Sequence, residues 1–396
     1  MRKQCSNQNK IHKTDDDKTD DDKTDNKFTA VIDQGVLWSL LYPYNKNFDP
    51  IVLDVQFLTG TTPDNSETST WLAWEKAWVA KIITESIMIY ANITFIFHIN
   101  DDSKPIGKPD FEIKISRLLN QGCFSSLGCV LYNANNGYGY LSATDIGETM
   151  NLGWMDAPYD TTFTYNGKQY KTGAFFENGG YVDGLGSTIV HEFGHALGML
   201  HELQAPSEFK NPLVFNTSNT ELFYKLRGGT AADANNQVIR RESGSNYNGT
   251  SFDINSIMKY SLPACLLQKG NGYENNNDGS DPCYAFSKAK KQTDFYYLGN
   301  QTIGTYIHAD TILQPGLDIQ NYTLVLSECD KTWLINNYPG KTIVGPIPQC
   351  TLQSFNNPNS LPYPTNSTSF FTLSNIFIFI VFLIILISII LYVIYR

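Results

Sequence analysis

The chain has 396 residues, enough for one large domain or two modest ones. Hydrophobic residues make up 42% of it and charged residues 17%, so most of it should fold. The net charge of -10 argues against nucleic acid as a partner. Part of that charge lies in residues 1–30, where KTDDDKTDDDKTDNK repeats with nothing apolar to bury; this predicts a disordered tail rather than a calcium site. No apolar run follows Met1-Arg2-Lys3, so no signal peptide is expected. The cysteines are Cys5, Cys123, Cys129, Cys265, Cys283, Cys329 and Cys350. They include no CxxC pair, which argues against a second zinc site of the ribbon type. Setting Cys5 aside, spacing gives the pairs 123–129, 265–283 and 329–350, although six cysteines allow other connectivities.

A folded domain is expected over 31–340, beginning near Val36-Leu37-Trp38. Ile51 to Leu58 alternates as a strand does. Trp71 to Tyr90 reads as a helix packed on a sheet, with Trp71, Trp74, Trp78, Ile82 and Ile89 near helical spacing. Asn92 to His98 and Phe111 to Ile115 are two more strands, and His98 is expected to be a satisfied or exposed side chain rather than a ligand. CFSSLGCVLYN, residues 123–133, comes next. A strand over 149–154 and a Gly- and Tyr-rich loop over 156–186 then lead to the most informative stretch.

That stretch is HEFGHALGMLHE, residues 191–202. On a helix, residues four apart share a face, so His191 and His195 can fill two corners of a zinc tetrahedron. Ser187-Thr188-Ile189-Val190 enters the helix with a cap-capable residue and an apolar run. Gly198 can take a left-handed turn that stops the helix and lets the chain swing round, so that His201 brings the third nitrogen. The fourth corner is left for water, the mark of a catalytic rather than a structural site. Glu192 sits beside the metal rather than on it, placed to take a proton from that water.

The spacing is the signature of metzincin metalloproteases, and HEFGHALGMLHELQAP, with Glu202 directly after the third histidine, resembles the astacin branch. The resemblance implies an α+β fold: an N-terminal twisted mixed β-sheet with two helices (a long helix and the zinc helix) and a largely irregular C-terminal subdomain closed by a helix. It implies that the Cys123 segment is an edge strand along the substrate cleft, able to hold an extended polypeptide by backbone hydrogen bonds. The family's partner cysteine for that strand is absent, since no cysteine occurs from 130 to 190, and Cys129 is the expected substitute. Ser256-Ile257-Met258-Lys259-Tyr260 resembles the family's methionine turn. Met258 is then an apolar floor under the imidazoles, and the Tyr260 phenol reaches the metal or the tetrahedral intermediate. Lys259 stands where the family has histidine. Glu202 is expected to be structural; in mature astacins it meets the new N-terminus, but no family-type propeptide aspartate motif is visible here. Leu326 to Tyr338 resembles the closing helix, with Ser327 as its cap.

Residues 265–325 exceed what the family needs and read as an insertion, and Thr220 to Leu226 reads as a short helix. Residues 341–371 are a Pro-, Asn-, Ser- and Thr-rich stalk. Within 372–396, Ile376 to Tyr395 is an unbroken apolar run long enough to cross a bilayer as one C-terminal transmembrane helix. Its orientation stays open. Tail-anchored insertion puts the domain on the cytosolic side, whereas the disulfides and the Asn-x-Ser/Thr sequons favour the other; a virion or other non-plasma membrane with its own disulfide-forming system would reconcile them. The expected protein is a membrane-anchored Zn2+ endopeptidase with His191, His195 and His201 as ligands and Glu192 and Tyr260 as catalytic groups. The alternatives are a non-catalytic adhesion protein on the same scaffold and a zinc hydrolase of non-peptide amides or esters.

Overall fold

The computed structural model describes residues 32–43, 47–138, 146–173, 181–205, 214–241, 247–248, 252–253, 256–259, 262–263, 266, 302–303 and 326–350, apart from 102, 104, 159, 183–184 and 227. The 1–30 tail, most of the 265–325 segment, most of the 341–371 stalk, the apolar run 376–395, Cys5, Cys265, Cys283 and Tyr260 lie outside the described residues. Among the described residues, no helix is long and apolar enough to cross a membrane.

The fold is mixed α/β, built on a five-stranded sheet. In chain order its strands are β1 (Ile51–Phe57), β2 (Ile93–His98), β3 (Ile113–Ser116), β4 (Cys123–Ser125) and β5 (Met150–Leu152). Across the sheet the order is β2-β1-β3-β5-β4. The first three pairings are parallel, and β4 joins β5 antiparallel, with Cys123 opposite Leu152. Parallel pairing demands crossovers. The one between β1 and β2 is α1 (Ala73–Glu85). Its N-terminus has no hydroxyl cap; the Glu75 carboxylate reaches back to the Leu72 N–H at 2.7 Å. The helix stops five residues before the expected Tyr90, where the Ser86 hydroxyl donates to the Ile82 carbonyl at 2.6 Å.

Alternation along β1 puts Ile51, Leu53, Val55 and Phe57 into the core and Asp54 on the opposite face. The core is continuous from the sheet through Trp78 and Ile82 of α1 to Ile189, Val190 and Phe193 of the second helix. Phe193 meets Phe95 of β2 edge-on at 5.3 Å between ring centroids.

Between β5 and that second helix, the expected loop over 156–186 is a correction. It contains a hairpin, Thr162–Tyr165 against Lys168–Lys171, turning through Asn166 (φ 47°) and Gly167 (φ 73°). Asn-Gly accepts positive φ at both turn positions, as a two-residue hairpin of this hand requires. Met155–Asp156 also pairs in parallel with Tyr181–Val182.

The cysteine pairing is partly corrected. Cys329–Cys350 is a disulfide. Cys123 is a free thiol whose Sγ donates to the Trp154 carbonyl at 2.9 Å, whereas Cys129 is disulfide-bonded, and not to Cys123. The 123–129 bridge does not form because Gly128 turns the chain inward (φ 50°) and buries Cys129 beside Val36 and Leu37, while strand register keeps Cys123 against the 152–154 segment. Of the sequons, Asn92 is buried and donates its amide to the Phe48 carbonyl at 2.6 Å, a placement that leaves no room for a glycan. His98 bonds Asp54 at 2.7 Å.

Candidate metal centre

The second helix, α2, spans Ser187–Ala196. Neither Ser187 nor Thr188 is its N-cap. That position is Gly186, left-handed at φ 88°, and the end is closed by Asp156, a residue 31 positions earlier. One Asp156 carboxylate oxygen accepts the Ser187 N–H and hydroxyl, and the other accepts the Thr188 N–H at 2.9 Å. A carboxylate there satisfies orphan amides and complements the helix dipole.

The C-terminal end is equally well tied. Gly198 takes φ 103° and its N–H closes on the His195 carbonyl at 2.8 Å, so the helix stops where the glycine was expected to stop it. The last carbonyls find long-range donors. Gly128 N–H reaches His195 at 2.8 Å, the Trp38 indole reaches Ala196 at 2.7 Å, and the Tyr338 hydroxyl reaches Leu197 at 2.7 Å.

These constraints bring His191, His195 and His201 together, with one nitrogen from each ring lying within 4.8 Å of the other two. The Nε2 atoms of His195 and His201 are 3.0 Å apart, close to the roughly 3.3 Å between two nitrogen ligands of a tetrahedral zinc. Two of the other ring nitrogens, those of His191 and His195, have acceptors in the backbone. His191 Nδ1–H donates to the Ile257 carbonyl at 2.8 Å and His195 Nδ1–H to the Met199 carbonyl at 2.7 Å. A carbonyl only accepts, so each Nδ1 must carry the proton and each Nε2 turns a lone pair inward. Burial pushes His191 down to about 4 and His195 to about 3, the latter helped by His191; His201 lies well below its ordinary value for the same reasons. The rings are therefore neutral at physiological pH, the form that binds metal. The donor set fits a zinc ion.

Glu192, on the same helix, is buried, and its Oε2 has no hydrogen-bond partner among the described residues. Burial raises its carboxyl to about 8. Met258 packs on the helix so closely that a Cβ on Gly194 would lie 2.5 Å from its Sδ, which explains the glycine inside HEFGH.

Sequence reasoning missed the residues that hold this arrangement from behind. The closing helix, α4 (Glu328–Asn337; α3 is Thr217–Leu226, three residues longer at its start than expected), carries Asp330. Its carboxylate accepts the Ser256 hydroxyl at 2.8 Å and the Ile257 N–H at 2.9 Å, fixing the turn under His191. Burial and the neighbouring Asp253 raise it to about 7. The only sequence signal for Asp330 is its spacing from Ser327, which forms a capping box. Lys259 is buried too, and that burial lowers it to about 8.

At the sheet edge, β4 has no strand on its outer side among the described residues, and Phe124 is half exposed there. The Gly128 bond to His195 ties the segment following β4 to the histidine helix.

No protein family and no curated protein matches the sequence. Among solved structures, the chain is similar to myroilysin, with a TM-score of 0.42 and 20% identity over 78% of this chain and 98% of that one. It is also similar to high choriolytic enzyme 1, a hatching enzyme zinc-protease from the medaka fish Oryzias latipes, with a TM-score of 0.31 and 17% identity over 60% of this chain and 80% of that one.

Proposed function

We propose that the protein is a zinc-dependent endopeptidase. The observation that carries this reading is the convergence of three neutral imidazoles beside a buried carboxyl that is not one of the ligands. His191, His195 and His201 would hold the ion. When bound, zinc supplies Lewis acidity to a scissile carbonyl and to water. Glu192, beside the ion but not one of its ligands, would take the proton of the attacking water and return it to the leaving amine. Met258 shapes the floor of the site. Tyr260 is assigned as donor to the developing oxyanion from its place in the sequence, two residues past Met258.

An extended polypeptide is the substrate class that suits the outer edge of β4, which has no neighbouring strand among the described residues, because free strand groups bind a backbone of any sequence. A non-catalytic scaffold would have no use for a buried carboxyl at Glu192. The apolar composition of 376–395, with Ser388 its only clearly polar member, supports a single-pass anchor in a bilayer.

Zinc-loaded protein incubated with an unstructured protein should cleave it. A chelator should abolish cleavage and added zinc should restore it. Loaded protein that leaves every peptide bond intact would remove the peptidase reading.

A further inference from the structure

The 162–171 hairpin and the segment 97–101, where the chain leaves β2, line a cleft of about 400 Å³ that includes none of the metal-centre residues. That volume lies within the range of small-molecule sites. Strand alternation builds the hairpin wall. Phe163 pairs with Tyr170 and Tyr165 with Lys168, so all four share one face. Phe163 is buried against Trp78 of α1, 5.4 Å between ring centroids, and stacks on Tyr170 at 5.5 Å. Tyr165 and Tyr170 are left half-buried, and both line the cleft. The opposite wall is equally fixed. Phe97 packs on Phe57 at 6.3 Å and on Phe193 of α2 at 6.1 Å. The Ile99 N–H closes on the Phe97 carbonyl at 3.0 Å, and the Lys76 ammonium donates to the Ile99 carbonyl at 3.2 Å. The Asp101 carboxylate is oriented by the Ser103 N–H at 2.9 Å and hydroxyl at 2.7 Å. Such a cleft is formed before any ligand arrives, which lowers the entropy cost of binding.

The rim decides the ligand class. Asn100, Asp101, Asn166 and Lys168 line the cleft and are exposed, so hydrogen-bond donors and acceptors alternate around it. One carboxylate and one ammonium cancel, which disfavours a ligand of high charge. The Lys168 ammonium lies 5.1 Å from the Tyr170 ring centroid, in the seat a ligand cation would take on that ring. An aromatic wall with a neutral, mixed polar rim matches an uncharged ring that has one apolar face and hydroxyls at its edge. We propose that this cleft is a saccharide-binding site. It holds a neutral pyranose with its C–H face on Tyr165 beside Phe97, and its hydroxyls reach Asn100, Asp101, Asn166 and Lys168. The proposal does not rest on the zinc reading.

The test titrates the full-length protein with maltotriose, cellotriose, mannotriose, xylotriose and triacetylchitotriose, read by calorimetry. At least one should bind saturably with a Kd of about 1 mM or tighter. Tyr165→Ala should weaken that binding at least tenfold, and Asn100→Ala combined with Asp101→Asn at least fivefold. The second pair changes exposed side chains only, so it carries the test should Tyr165→Ala fail to fold. Glu192→Gln should bind the sugar as wild type does, whether or not the protein is a peptidase. A free sugar and the glycan chain of a glycoprotein present the same ring. Retention of a glycoprotein, but not of its deglycosylated form, by immobilised protein would identify the chain as the source. No binding by any of the five sugars overturns the proposal. So does binding that the cleft variants leave within twofold of wild type, or that Glu192→Gln abolishes, which would put the sugar at the metal centre.

Discussion

Two regions of the molecule each combine buried acids with a lysine, and they differ in how far that lysine lies from water. At the sheet, Lys108 comes in from the rim, 18% exposed, and bonds Asp54 at 2.8 Å and Glu112 at 2.9 Å. His98 bonds Asp54 at 2.7 Å, and the Tyr42 hydroxyl donates to Glu112 at 2.7 Å. In the other region, Lys259 is 1% exposed on the 256–259 turn, which Glu202 holds by its N–H to the Met258 carbonyl and Asp330 by its carboxylate on Ser256 and Ile257. Water can replace Lys108 if it is lost, because its end of the cluster is open; no such replacement is at hand for Lys259. The partners differ as well. Glu112 bonds Tyr42, Tyr132 and the N–H of Asp54 on β1, whereas Asp330 bonds the N–H of Ile257, whose carbonyl orients a candidate ligand. Similar residue types stabilise a fold in one place and set the geometry of a site in the other.

The largest expected effect lies at the site itself. Glu192→Gln should lower kcat by about 10²–10⁴-fold, the usual contribution of a positioned acid–base group, with zinc content unchanged. Cleavage at the wild-type rate would leave the turn cluster with no such chemistry to support. Next comes the direct comparison. Asp330→Ala and Glu112→Ala each strand several buried donors and should each cost roughly 2–4 kcal/mol in denaturant unfolding. Only Asp330→Ala should also weaken zinc binding in the protein that remains folded. Equal losses of zinc affinity would erase the distinction between the clusters.

A pH effect of similar or smaller size follows from Glu192. Its carboxyl sits at about 8 in the fold against an ordinary 4.5, so in metal-free protein the stability it allows is complete below about 4.5 and is lost as pH rises through about 8. Metal-free Glu192→Gln should therefore be more stable than wild type at pH 9, on the order of a few kcal/mol, with the gap closing toward pH 4. Thermal melts of the two proteins across that range check the sign. The smallest effect is expected from Lys108→Met, under about 1 kcal/mol with no change in zinc affinity, because its charge is partly screened by solvent.

What the sequence determined by itself is local. HEFGHALGMLHE specifies a helix with two imidazoles on one face, a stop at Gly198 and a third imidazole beyond it, because helical period and glycine geometry act within a dozen residues. Alternation located β1, β2 and β3 for the same reason, and Asn166-Gly167 carried the 162–171 hairpin in plain view, hidden only by the composition around it. Tertiary structure alone decided which residues close and brace that helix. Asp156 caps it from 31 positions away, and Asp330 holds the Ile257 turn from 73 positions away. It also decided that Cys123 stays free and that Lys259 is buried. Such contacts leave no periodic trace in a sequence: an aspartate that caps a distant helix and one that faces water are the same letter, and only the packing that removes water from one of them tells the two apart.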